Sequence, residues 1–273
     1  MSVLKTYRPW MVKVLLALVT LLSSSATSFA QVGEHRSELA FGVNGGYILS
    51  NVAFVPKIPQ SMHAGMTGGV TVRYTSEKYF NSICAIVAEL NYSQIGWKES
   101  ILTPDDEPVI NPATGLPEEF QRTMNYVQLP VFARLGWGRE RRGFQVFFQI
   151  GPQIGYFLNE HSEANFDVDN PNLSARTSII SSGYKQNGVQ IGSGIYHKAA
   201  ENKVDYGISA GLGLEFSRSG LGHFMLEGRY YFGLGNIYGD SKRDYFGRSN
   251  FSNIAVKLCY LFDIARTSNP KIK

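Results

Sequence analysis

The chain has 273 residues, 44% hydrophobic and 18% charged, with a formal net charge of +4. Lys5, Arg8 and Lys13 carry three of those charges, so the chain beyond residue 30 stands at +1 and offers no basic surface that would recruit nucleic acid. No apolar run beyond residue 30 approaches the roughly 20 residues of a membrane-crossing helix, so passage through a bilayer would fall to strands.

Residues 1–30 read as a signal peptide. A basic start precedes an apolar core at 14–22, and Ser28-Phe29-Ala30 has the small-x-small form of a cleavage site. Cleavage after Ala30 would leave a short segment at 31–38, a barrel at 39–263 and a tail at 264–273.

Period-two alternation bounded by turn residues then predicts eight strands. The first two, 39–50 and 65–76, are Gly-rich and weakly patterned, and the third covers 82–97. In the fourth, 121–137, Val127, Leu129, Val131, Ala133, Leu135 and Trp137 oppose Tyr126, Gln128, Pro130, Phe132 and Arg134. The fifth, 143–158, sets Phe144, Val146, Phe148, Ile150 and Ile154 against Gln145, Gln149, Gly151, Gln153 and Gly155. The sixth, 203–217, sets Tyr206, Ile208, Leu212 and Leu214 against Asp205, Gly207, Ser209, Gly211, Gly213 and Glu215. Strands at 223–236 and 249–263 complete the set.

The connectors alternate in length. Short turns at 77–81, 138–142 and 218–222 interleave with long polar loops at 51–64, 98–120, 159–202 and 237–248. In an up-and-down meander all long loops share one rim, the asymmetry of outer-membrane barrels with short periplasmic turns and longer external loops. The polar face is too poor in Lys and Glu to meet bulk water, and its Gly and Ser suit a narrow interior, so the apolar face is expected to meet lipid. Trp137 and Trp97 end strands at opposite rims, as interfacial belts require, although Trp97 breaks the outward parity and needs a bulge or a loop position.

Charges on the inner face balance. Arg73, Arg134, Arg229 and Lys257 meet Glu89, Asp205, Glu215 and Glu227, which predicts an ion-pair network filling the lumen. A proton or ion path is the functional alternative, disfavoured because eight strands leave room for side chains but not for a channel. Within 159–202, Asn187-Gly188 is a hairpin signal. Counting its flanks as membrane strands would make ten and keep the parity, but their Ser- and Gly-containing outward sets favour an external hairpin.

Chemistry is sparse. His35, His63, His161, His197 and His223 have no metal-ligand spacing, and no cofactor pattern emerges. His161, Ser162, Asp167 and Asp169 supply the residue types of a rim hydrolase without an arguable triad, so a lipid-modifying enzyme or protease is the minor reading. The acidic loop at 98–120 lacks the order of a calcium loop, and Pro104, Pro108, Pro112 and Pro117 suggest an extended solvated segment. Arg139, Glu140, Arg141 and Arg142 make one short turn strongly charged, suited either to water or to a periplasmic partner. Cys84 and Cys259, on non-neighbouring strands and opposite faces, are expected to be free thiols.

Two strands carry a family likeness. The run from Asn125 through Tyr126, Leu129 and Pro130 to Phe132, and that from Asp205 through Gly207, Gly211 and Gly213 to Glu215, resemble strands of the PorT-type outer-membrane β-barrel family common in Bacteroidota. The Gly-rich first strand fits as well, so the likeness spans about 38–263. It implies an eight-stranded outer-membrane barrel, and for the founding member a part in protein export. No functional residue carries over, because the matching positions are packing residues. The chain departs from many barrels by running past Phe262 to Lys273. The expectation is a monomeric, non-enzymatic barrel in contact with outer-membrane lipid, displaying its loops, with a secretion-system or periplasmic partner as the alternative.

Overall fold

In a computed structural model, the structure describes residues 34–55, 57–79, 82–103, 105–139, 143–166, 185–186, 189–190, 196, 198–218, 220–239 and 246–266. Eight long strands run through this region: β1 (Glu34–Val55), β2 (His63–Tyr79), β3 (Ser82–Ser100), β4 (Glu119–Gly138), β5 (Gly143–Ala164), β6 (Val204–Arg218), β7 (Gly222–Gly233) and β8 (Arg248–Arg266). Each pairs with its sequence neighbours and β1 lies antiparallel to β8, with Val43 opposite Tyr260, so the sheet closes into a ring. A two-residue piece, Gln60–Ser61, adds to β3 at Glu99 and Lys98. Closure satisfies the backbone without an exposed edge, the condition for strands in lipid.

The strand count is eight because β5 pairs directly with β6, from Gly143–Ser217 to Tyr156–Val204. The hairpin flanking Asn187-Gly188 is a separate two-residue ladder, Lys185–Gln186 with Val189–Gln190, and contributes no wall strand. Most of the remainder of 159–202 lies outside the described residues, as do Glu140, Arg141, Arg142, Asp167, Asp169 and His197.

Alternation sets the two faces. Phe144, Val146, Phe148, Ile150 and Ile154 on β5 are exposed, while Gln145, Phe147, Gln149 and Gln153 between them are buried. Exposed apolar residues form a band around the ring, edged with aromatics. Phe144, Phe216, Phe224 and Tyr260 lie in register across β5 to β8 near the short turns, and Tyr92, Tyr156, Tyr206 and Tyr230 mark the other edge.

Several strands outrun the lipid. β4 begins at Glu119, and its outward positions before Val127 are Asn125, Thr123, Gln121 and Glu119, polar residues that belong in water. β3 likewise continues through Gln94 and Lys98. Uninterrupted parity in this extension carries Trp97 inward, opposite Arg122, and buries it at 4% exposure. The interfacial position expected for Trp97 is therefore wrong, and no bulge is needed. Trp137, by contrast, is outward and exposed at the short-turn rim.

The loop after β3 is also more folded than its prolines suggest. Bridges between Leu102 and Pro108 and between Ile110 and Pro117 double it back on itself. Val109 and Ile101 are buried beneath it. The bridge hydrogen bonds are made by residues beside Pro108 and Pro117, such as Val109 N to Ile101 O and Glu118 N to Val109 O, so the missing proline N–H costs nothing and proline content did not imply an extended path.

Candidate functional site

The interior holds three layers, taken here from the short-turn end. In the first, Glu215 on β6 is the hub. Arg73 Nη1 donates to its Oε1 at 2.8 Å, Arg134 Nη2 donates to its Oε2, and His223 Nδ1 lies 2.7 Å from Oε1. Arg134 also lies 3.7 Å above the Phe147 ring. Gly213 makes room for that ring, since a Cβ there would stand 2.5 Å from Phe147 Cζ.

In the second layer Arg229 on β7 is the hub. It donates through Nη1 and Nη2 to Glu89 at 2.9 and 2.8 Å, and through Nε and Nη2 to Glu227 at 2.7 and 3.0 Å. Lys257 Nζ donates to Glu89 at 2.7 Å, Asn91 to Glu89 at 2.8 Å, and Gln149 to Glu227 at 2.8 Å. Arg229 stacks 4.5 Å from the Phe132 ring. Paired charges with their remaining lone pairs filled are the condition under which ions tolerate burial.

Seven of the eight predicted interior charges thus fall into two clusters, and Asp205 stands apart from both. It takes a 2.6 Å hydrogen bond from Tyr231 Oη. A tyrosine on the neighbouring strand β7 does for Asp205 what a cation was expected to do. His223, absent from the predicted set, joins the first cluster and reaches Asp263 Oδ1 at 3.0 Å through Nε2.

The third layer lies at the long-loop end, and the charge inventory did not anticipate it. Phe54, Trp97, Met124, Tyr126, Tyr238, Phe246 and Phe251 form a buried apolar core with Ile48, Val52 and Ile95. Their rings meet edge-on or tilted, with Phe54 and Trp97 5.2 Å apart and Phe54 and Phe246 4.6 Å apart, geometries aromatic pairs prefer. Arg122 ties this core to the loops. It donates to Tyr238 Oη at 2.8 Å, to Ser162 Oγ at 3.0 Å, and to the carbonyls of Tyr196 and Lys198. Its guanidinium lies 5.5 Å from the Trp97 ring, and Glu160 Oε2 stands 3.6 Å away. Burial pushes the Tyr238 phenol up to about 12, against the opposing pull of Arg122, so it stays a neutral acceptor. Arg122 shares its face with Arg134 by simple parity, which was the available signal. Its loop partners had no sequence signature.

Little space remains inside. Two interior recesses measure about 20 and 10 Å³, one beside Arg229 and one beside Glu215. The larger apolar groove, about 650 Å³, lies on the outer wall between residues such as Val43, Phe216, Leu258 and Tyr260.

Catalytic constellations are equally cramped. Ser217 Oγ lies 2.8 Å from His223 Nδ1, and with Asp263 this has the composition of a hydrolase triad. Ser217 is 2% exposed and its hydroxyl also donates to Glu215, so no substrate carbonyl can reach it. At the other rim Ser162 is engaged by Arg122, while the exposed His161 faces Glu163 at 3.3 Å. Among the described residues no three His, Cys, Asp or Glu side chains converge as a metal set. Both cysteines are free thiols, Cys259 buried and Cys84 half-buried.

A closed antiparallel ring with a lipid-facing apolar band agrees with what sequence comparison finds over residues 29–239. The chain belongs to the outer membrane protein beta-barrel domain family. It is an outer-membrane β-barrel protein. Solved structures similar to it include Ail, the attachment invasion locus protein of Yersinia pestis, at 11% identity and TM-score 0.32, covering 84% of this chain and 99% of that one. Neisserial surface protein A matches at 7% identity and TM-score 0.37, covering 82% and 99%. OprG from Pseudomonas aeruginosa matches at 9% identity and TM-score 0.37, covering 84% and 97%. No curated protein matches the chain.

Proposed function

We propose that this barrel is a closed, non-catalytic display scaffold, with a structural or surface-binding role exerted through the loops beyond β1, β3, β5 and β7. The observation that carries this reading is the filled interior among the described residues: ion-paired layers at membrane depth, an aromatic core above them, and interior recesses of about 20 and 10 Å³. A side-chain-filled barrel cannot pass solutes, which leaves its two rims as the surfaces available for work. The long-loop rim is then external, after removal of residues 1–30 as a signal peptide, and the chain acts as a monomer in lipid.

The test is conductance of the purified, refolded protein in planar bilayers, combined with protease shaving of intact cells. The reading expects no stable large conductance, cleavage within 159–202 and a resistant barrel. A stable open pore would end it. Mass spectrometry of the protein from membranes should find Gln31 as the first residue.

The alternative is an accessory role in protein secretion of the PorT type. It is favoured by the strand motifs around Tyr126 and Gly211 and by the basic short turn that begins at Arg139. Crosslinking in native outer membrane would support it by recovering a stoichiometric secretion component, and recovery of none returns the reading to a display scaffold.

A further inference from the structure

Between the aromatic core and the Arg229 cluster lies the recess of about 20 Å³, whose wall includes Asn91, Gln128, Asn253 and Lys257. Three of these residues carry a buried polar atom without a protein partner: Asn91 Oδ1, Gln128 Nε2 and Asn253 Oδ1. Their side chains sit in residues only 3%, 5% and 4% exposed. Buried polar groups in native interiors are paired with protein or with ordered water. These three come from β3, β4 and β8, so no local rearrangement of one strand accounts for them together.

The donor and acceptor pattern is specific. Asn91 Nδ2 donates to Glu89 Oε2 at 2.8 Å, and a carboxylate only accepts, so the amide cannot be turned round and Oδ1 is the atom left over. Asn91 Oδ1 thus shares one small space with an unpartnered amide atom each of Asn253 and Gln128. Water is the ligand that both donates and accepts. The recess leaves about 20 Å³ open to the centres of water molecules, so ordered water fits in it. A cation would meet Arg229 and Lys257 on the same wall, and an anion would meet the Asn91 oxygen.

We infer that this recess is a binding site for ordered water that bonds to Asn91, Gln128 and Asn253 and links three strands across the lumen beneath the aromatic core. The site lies inside the sealed interior and does not depend on what the loops bind.

A high-resolution crystal structure of the refolded full chain tests it. The expected result is at least one oxygen peak within hydrogen-bond distance of the Gln128 amide and of at least one of the two asparagine amides. An empty recess, an ion with anomalous signal, or Gln128 and Asn253 bonded directly to each other would overturn the inference. In solution, magnetic relaxation dispersion counts long-lived internal waters. Gln128→Met keeps the volume and removes one amide, and Asn253→Leu removes another. Each should lower the count, and an unchanged count in both folded variants would refute the site. Should either variant fail to fold, the wild-type density still decides.

Discussion

Arg229 makes four hydrogen bonds to two carboxylates, and no other interior side chain bridges Glu89 and Glu227 among the described residues. Removing it leaves Glu89 to Lys257 but strands Glu227 without a cation in a low-dielectric interior, so Arg229→Met is expected to destabilise the barrel by about 3–5 kcal/mol, measured by urea unfolding in micelles. Adding Glu227→Gln should restore much of the loss, because Lys257 then still pairs with Glu89 and no charge of the cluster is left alone. Overpacking acts at Gly213. Gly213→Ala presses on the Leu226 carbonyl oxygen and on the Phe147 ring, and a cost of about 1–3 kcal/mol is expected in the same assay. His63, above the apolar band and 2.8 Å from Thr123 Oγ1, has its imidazole pKa lowered from 6.5 by burial. Its folded value lies below its unfolded one, so stability rises with pH and is lost as pH falls below about 6.5. His63→Gln should flatten that part of the stability profile. A profile unchanged by the substitution would show that another group titrates there.

At the scale of the element, alternation does two jobs along one strand. In β6, Leu212 is 67% exposed within the apolar band, whereas outward Gln121 of β4 lies in the extension beyond it. Leu212→Arg is expected to cost about 2–4 kcal/mol, and Gln121→Arg about 0–1, by equilibrium folding into lipid vesicles. Equal costs would mean that the band is misplaced. The long-loop rim depends on Arg122 in another way. Arg122→Ala should leave barrel folding intact by heat-modifiability on gels while making the segment around Lys198 sensitive to protease. The strand assignments were legible in sequence because lipid and a crowded interior demand opposite side chains at successive positions. Strand ends were not, since alternation between water and an aromatic core reads less sharply than alternation against lipid. That is why 121–137 grew to Glu119–Gly138 and 143–158 to Gly143–Ala164.

For the whole molecule, closure converts a list of strands into a sealed interior. The ring brings Arg73 of β2 to Glu215 of β6, and Glu89 of β3 to Arg229 of β7, partners 142 and 140 residues apart in the chain. A barrel sealed in this way should show no stable conductance in planar bilayers. Denatured, unreduced protein should titrate two free thiols, since Cys84 and Cys259 lie on strands that are not neighbours. A count of zero would contradict the register of β3 and β8.

Period-two alternation and connector parity, by themselves, determined that this chain is an eight-stranded barrel with its greasy face outward, because each strand reports its two environments locally. They also placed eight charges on the inner face, though not Arg122 or His223. Which charge meets which across the lumen, and that Asp205 is served by Tyr231 of the neighbouring strand, was decided only by the tertiary structure, because such partners are set by strand stagger and not by sequence distance. The aromatic core around Trp97 and its tether through Arg122 belong to the same class. They arise where strands leave the lipid and the barrel must close itself with its own side chains.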